Sequence, residues 1–236
     1  MKYRISPVWI ISFSQWLVIL GWFNFSSLLP LIQRDLLLTS FQAGMVLSSF
    51  QFGYLLSVIL VGRLTDRVKP RHIFIVFALI TGTAGIMFAQ LANSYWTAIS
   101  LRFLVGFGLG GIYVPGLKYL SGLYPSRERG KVFGIFVGSL VIGSGSSFFI
   151  AAPLTALFNW REIILFTSCT AFVGAFMMFV YRLDPEPKKN AARSFFQSFS
   201  MIRNNKKLIQ MNAAYMGHMW ELYAFWGWIG PFMAFR

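Results

Sequence analysis

The chain has 236 residues, of which 56% are hydrophobic, 18% aromatic and only 12% charged, about half the charged share of an average soluble domain. Twenty-six Phe, eight Trp and nine Tyr, with a mean hydropathy of +0.62, leave too little polar surface to cover a compact core, which excludes a soluble globular protein and assigns the covering to lipid. The single cysteine, Cys169, excludes an internal disulfide and a multi-cysteine metal site.

Apolar runs of about 20 residues, the length that crosses ~30 Å of hydrocarbon at ~1.5 Å per residue, recur at residues 8–29, 41–62, 73–92, 97–117, 132–154, 163–181 and 208–235. They predict an all-α integral membrane protein with seven transmembrane helices. The first run follows Lys2 and Arg4 in the manner of a secretory signal, but it is too long for a signal and no small-residue cleavage site follows, so it reads as a retained helix. It carries Gln15, Asn24, Ser26 and Ser27. With Gln51 in the second run and Tyr113 in the fourth, these either line a cavity or hydrogen-bond between helices. The second and third runs are joined by Gly62-Arg63-Leu64-Thr65-Asp66-Arg67-Val68-Lys69-Pro70-Arg71, one acid among four bases, and Gly62 would let a neighbouring backbone approach where the helix ends.

In the fourth run Arg102 lies about six residues, or ~9 Å, inside the outer end, where a charge must face a wet cavity or snorkel outward. Gly106, Gly108 and Gly111 have the spacing of a dinucleotide fingerprint, but no strand precedes them and position 131 is a lysine where an acid is required, so no such cofactor is expected. Residues 183–207 form the one segment long enough to link two domains. In the seventh run His218 and Glu221 lie ~15 and ~20 Å into the helix and share a face. A carboxylate there is costly to ionise, and beside an imidazole it suits either a coupling proton or bonds to neighbouring helices. As a catalytic pair they lack a nucleophile or third metal ligand, so an intramembrane enzyme is disfavoured and neither metal nor cofactor is expected.

The net charge of +14 would suit nucleic-acid binding, yet seventeen of the 21 basic residues fall before the first run and in the segments after the second, fourth and sixth. Only Arg34, Arg161 and Arg236 fall on the other side. This bias places the N-terminus in the cytoplasm and accounts for the charge without nucleic acid. A seven-helix receptor or retinal protein would need the opposite orientation, and the seventh run has no lysine for a Schiff base. At an offset of 90 residues the first three runs overlay the next three, matching Gly21 with Gly111, Gly53 with Gly143 and Arg71 with Arg161. Three is an odd number, so residues 8–92 and 97–182 would be inverted copies.

The loop from Gly62 to Arg71 resembles the signature G-x-x-x-D-R-x-G-R-R of the major facilitator superfamily: Gly62, Asp66, Arg67 and Arg71 fit, while Lys69 replaces the second glycine and Pro70 follows it. Arg102-Phe103-Leu104-Val105-Gly106-Phe107-Gly108 resembles that superfamily's fourth-helix pattern R-x-x-x-G-x-G. The resemblance implies a secondary transporter in which residues 1–182 are the N-terminal six-helix bundle, residues 183–207 the central cytoplasmic loop and residues 208–236 the first helix of an incomplete C-terminal bundle. It also implies that Asp66 braces a closed inner gate and that Arg102 lies near the path.

A glycine-proline step typical of drug/proton antiporters is missing between Gly138 and Gly145, and no charge sits in the first two helices as in anion-clamping branches. The expectation is a multi-pass protein of the cell inner membrane, moving a small-molecule substrate with a coupling proton, here as a truncated chain whose C-terminal half comes in cis or from another chain. The alternative is a non-transporting accessory protein.

Overall fold

A computed structural model describes residues 6–183 and 205–234; Lys2, Arg4, Arg236 and nearly all of the 183–207 loop lie outside the described residues. Helix starts follow local chemistry. Pro7 and Pro70, which have no N–H to leave unsatisfied, open α1 (Pro7–Asp35) and α3 (Pro70–Leu91). Reciprocal capping boxes open three others: Thr39 with Gln42 at α2 (Ser40–Leu64), Ser94 with Thr97 at α4 (Tyr95–Gly110), and Asn159 with Glu162 at α7 (Trp160–Val180). The remaining helices are α5 (Tyr113–Leu123), α6 (Ser126–Leu154) and α8 (Lys206–Ala234).

The fourth span, expected as one helix, is broken. It runs through Tyr95–Leu123 but divides after Gly110, because Pro115 has no N–H for the Gly111 carbonyl and its ring would crowd that carbonyl. Six spans among the described residues are long and apolar enough to cross a membrane, counting α4 and α5 together. The 29-residue α8 has the length but less hydropathy, since it holds Gln210, Asn212, His218 and Glu221.

Helix α1 is the axis of the bundle, buried along most of its length. The most extensive contacts are α2 with α4, α1 with α6, α3 with α7, α1 with α7, and α3 with α4. Exchanging α1 with α4, α2 with α6 and α3 with α7 returns the same five pairs. The α2–α4 backbones meet so closely that a Cβ on Gly53 would overlap the Phe103 carbonyl and one on Gly106 the Phe50 carbonyl. At Gly62 the expected close approach is absent. A Cβ there would meet nothing within 4 Å, because Gly62 lies on an exposed side of α2 while its neighbour Val61 is the one buried. Helix α8 rests on α1, with Tyr223 stacked 6.1 Å from Trp22 and Trp226 edge-on to Phe23 at 4.8 Å. Large apolar side chains such as Phe52, Phe149 and Phe176 cover the outside, as a lipid-facing surface requires.

Candidate functional site

Near the middle of α1, α2 and α8 the helices leave a cavity of about 460 Å³, a volume suited to a small molecule. Its walls are Trp22, Phe23 and Ser26 of α1, the stretch of α2 that includes Phe50 and Gln51, Arg102 of α4, and a face of α8 that includes Met219, Tyr223 and Trp228. Arg102 is 3% exposed and turns inward, so it does not snorkel. Its Nη2 donates to the Trp22 carbonyl at 2.7 Å and its Nη1 to the Gly21 carbonyl at 3.4 Å. The Phe25 and Phe50 rings lie 4.6 and 4.7 Å from the guanidinium carbon, close enough for cation–π attraction. Among the described residues its Nε has no partner, nor does the buried indole N–H of Trp22. A second space of about 10 Å³, bounded by Arg102, Asn24, Thr81 and Thr167, is the size of a single water.

The other polar candidates divide. Gln51 and Ser26 belong to the cavity wall. Gln15 instead donates to the Phe136 carbonyl at 2.9 Å and the Ser139 hydroxyl at 3.0 Å, tying α1 to α6. Asn24 donates to the Thr167 hydroxyl of α7 at 2.7 Å, and Ser27 to the Asn24 carbonyl. Tyr113 stacks on Phe136 at 5.9 Å. None of these four lines the large cavity.

At the end of the bundle where α2 meets α3, Asp66 pairs with Lys118 of α5 at 2.5 Å, and Lys118 also donates to the Thr65 carbonyl at 2.7 Å. Arg67 is exposed. Arg71, 6% exposed, donates to the Met178 and Phe179 carbonyls at 2.7 and 2.6 Å. It therefore closes the C-terminal end of α7, where unpaired carbonyls and the helix dipole favour a cation. At the opposite end Arg161 does the same for α3, donating to the Ala89 and Ala92 carbonyls at 3.0 Å each and approaching Asp35 at 3.4 Å.

The sequence matches the Major Facilitator Superfamily over residues 11–235. The chain belongs to that family. It is therefore a multi-pass membrane protein of a transporter family, and not an enzyme. A probable sulfoacetate transporter of Cupriavidus necator is 26% identical over 168 residues, covering 71% of this chain and 39% of the relative. The inner membrane transport protein YnfM of Escherichia coli is 24% identical over 162 residues, covering 68% of this chain and 38% of the relative. The chain thus spans about two-fifths of the length of these curated relatives. A bacterial homologue of the human lysosomal transporter Spinster, solved inward-facing and unoccupied, superposes with a TM-score of 0.75 at 15% identity, over 96% of this chain and 54% of that one. The superfamily fold is shared.

On that fold His218 and Glu221 are exposed on α8 and are not brought to Arg102 or to the cavity; neither makes a hydrogen bond or ion pair among the described residues. Reading the sequence as runs and loops missed Lys118 as the partner of Asp66. A lone lysine within the apolar turns of 113–123 was the available signal, since such a charge needs an acceptor. The aromatic wall, Trp22 with Tyr223 and Trp228, was also missed, because aromatic residues occur on every face of these helices.

Proposed function

We propose that this chain works within a secondary transporter that moves a small solute by alternating access, with the solute held in the cavity between α1, α2, α4 and α8. One observation carries the reading: the cavity lies near the middle of its membrane-crossing helices, in a chain of a transporter family, where superfamily sites sit between two rocking halves. The other wall of the path comes from a C-terminal half, in cis or from another chain. The test is counterflow in proteoliposomes holding the chain, alone and with a second-half polypeptide, against a panel of labelled organic acids, amines and sugars. Exchange above protein-free vesicles supports transport. No exchange by a helical, correctly inserted chain in either condition supports the accessory reading instead.

Residues 8–92 and 97–182 act in this proposal as inverted copies. Supporting it are the helix pairings that survive exchange of the two triplets and the reciprocal closure of helix ends by Arg71 and Arg161. The N-terminus is placed in the cytoplasm of a cell whose inner membrane holds the protein, on the distribution of basic residues. In a Cys169→Ser background, cysteine at Asn93 should react with an impermeant maleimide in intact cells and cysteine at Ser126 should not; the reverse pattern refutes the orientation. The loop residues Gly62, Asp66, Arg67 and Arg71 gate the inner side, with Asp66 and Lys118 exchanging partners as it opens. Glu221, with His218 one turn away, carries a coupling proton. Glu221→Gln should then abolish proton-driven accumulation and retain exchange, because the amide mimics the protonated acid; undiminished uphill accumulation refutes the role.

A further inference from the structure

Arg102 is a charge that the protein buries without neutralising. Two peptide carbonyls and two phenyl faces solvate the guanidinium, but neither supplies negative charge, and among the described residues none that lines the cavity is acidic. Glu221, on the same helix as part of the wall, is exposed and outside it. An unpaired cation in a low-dielectric site is costly, and it makes the cavity positive. Among the described residues two buried donors, Arg102 Nε and Trp22 Nε1, are left without acceptors, and both residues line the cavity. Around them the wall is apolar and aromatic, with Phe23, Phe50, Tyr223 and Trp228.

Resting on the transport reading above, we propose that the cavity is a site for a small organic anion, a carboxylate or sulfonate on an apolar or aromatic body, with its acid group on the Arg102 edge and its body against the aromatic wall. A charge-assisted bond to the guanidinium uses the donor left over from the carbonyls. A neutral or cationic ligand would leave the charge unpaired, so the site discriminates by charge more than by shape.

The test uses the full chain in zwitterionic nanodiscs, titrated calorimetrically with benzoate and with benzamide, its neutral isostere. Benzoate should bind saturably and at least about tenfold more tightly than benzamide. Arg102→Met should erase that preference, and Arg102→Lys should retain part of it. Equal binding of the two probes, no saturable benzoate binding, or an undiminished preference in Arg102→Met would overturn the proposal. If Arg102→Met does not fold, the comparison of probes on the unaltered chain decides alone. Counterflow of a neutral solute without benzoate binding would leave the transport reading standing and remove this one.

Discussion

Among the arginines that backbone carbonyls hold in this bundle, Arg71, Arg161 and Arg102 differ in where those carbonyls lie. Arg71 and Arg161 reach the C-terminal ends of α7 and α3, where the last carbonyls of a helix have no intrahelical donor and the dipole is negative. Arg102 reaches Gly21 and Trp22, mid-helix residues of α1, whose carbonyls already accept from the next turn. The first two complete something the helices lack. The third shares acceptors that are already taken and leaves its Nε–H without an acceptor among the described residues. A buried charge is thus not informative by its depth alone; the state of its acceptors separates a structural clamp from a group with binding capacity left.

The sharpest test replaces Arg102 by methionine, which keeps an unbranched apolar stem and removes the charge. Solute transport by a complete protein should fall by roughly 100-fold or more, the scale of losing one partner of a buried charge pair. Stability should stay within about 1 kcal/mol, because apolar replacement of an uncompensated buried ion is often neutral or stabilising. Thermal unfolding in detergent, read beside uptake, checks both. A variant that melts early and transports normally would make Arg102 another clamp.

Arg71→Ala should show the opposite profile. Two short charge-assisted bonds are lost and one buried and one partly buried carbonyl are orphaned, a cost of about 3 kcal/mol. Arg161→Ala should cost less, about 1–2 kcal/mol, since its side chain is 31% exposed and water can replace it. Denaturant titration of the two variants should therefore rank Arg71 above Arg161. The reverse order would break the link between burial and clamp strength.

The six apolar spans, the basic loop and the depth of Arg102 were legible in the sequence because each depends on length, composition or local spacing. The break after Gly110 was readable in principle from Gly110-Gly111 with Pro115 four residues later, yet the apolar run continues across it. Which polar residue faces the cavity was not legible. Gln15, Asn24 and Gln51 all sit in helices that are apolar on nearly every face, so no periodicity distinguishes inward from sideways. Only packing shows that Gln15 and Asn24 bind other helices while Gln51 borders the cavity. For Lys118 the sequence shows that a charge among apolar turns needs an acceptor, but which residue 52 positions away supplies it is set by packing alone.

Asp66 gives the smallest expected effect and sharpens the comparison from the exposed side. Its carboxylate lies 2.5 Å from Lys118, but both side chains are 36% exposed, and ion pairs that water reaches contribute about 0–1 kcal/mol. Lys118 would also keep its bond to the Thr65 carbonyl when the acid is lost. Asp66→Asn should therefore lower stability by no more than ~0.5 kcal/mol, and a double-mutant cycle with Lys118→Met should give a coupling of similar size that shrinks as salt is raised. If the loop gates the inner side, the same substitution should still impair transport in a complete protein, because the two gate states then differ by the partner of one charge. A loss of several kcal/mol in the cycle would instead place the Asp66–Lys118 pair with Arg71 and Arg161 as a structural clamp.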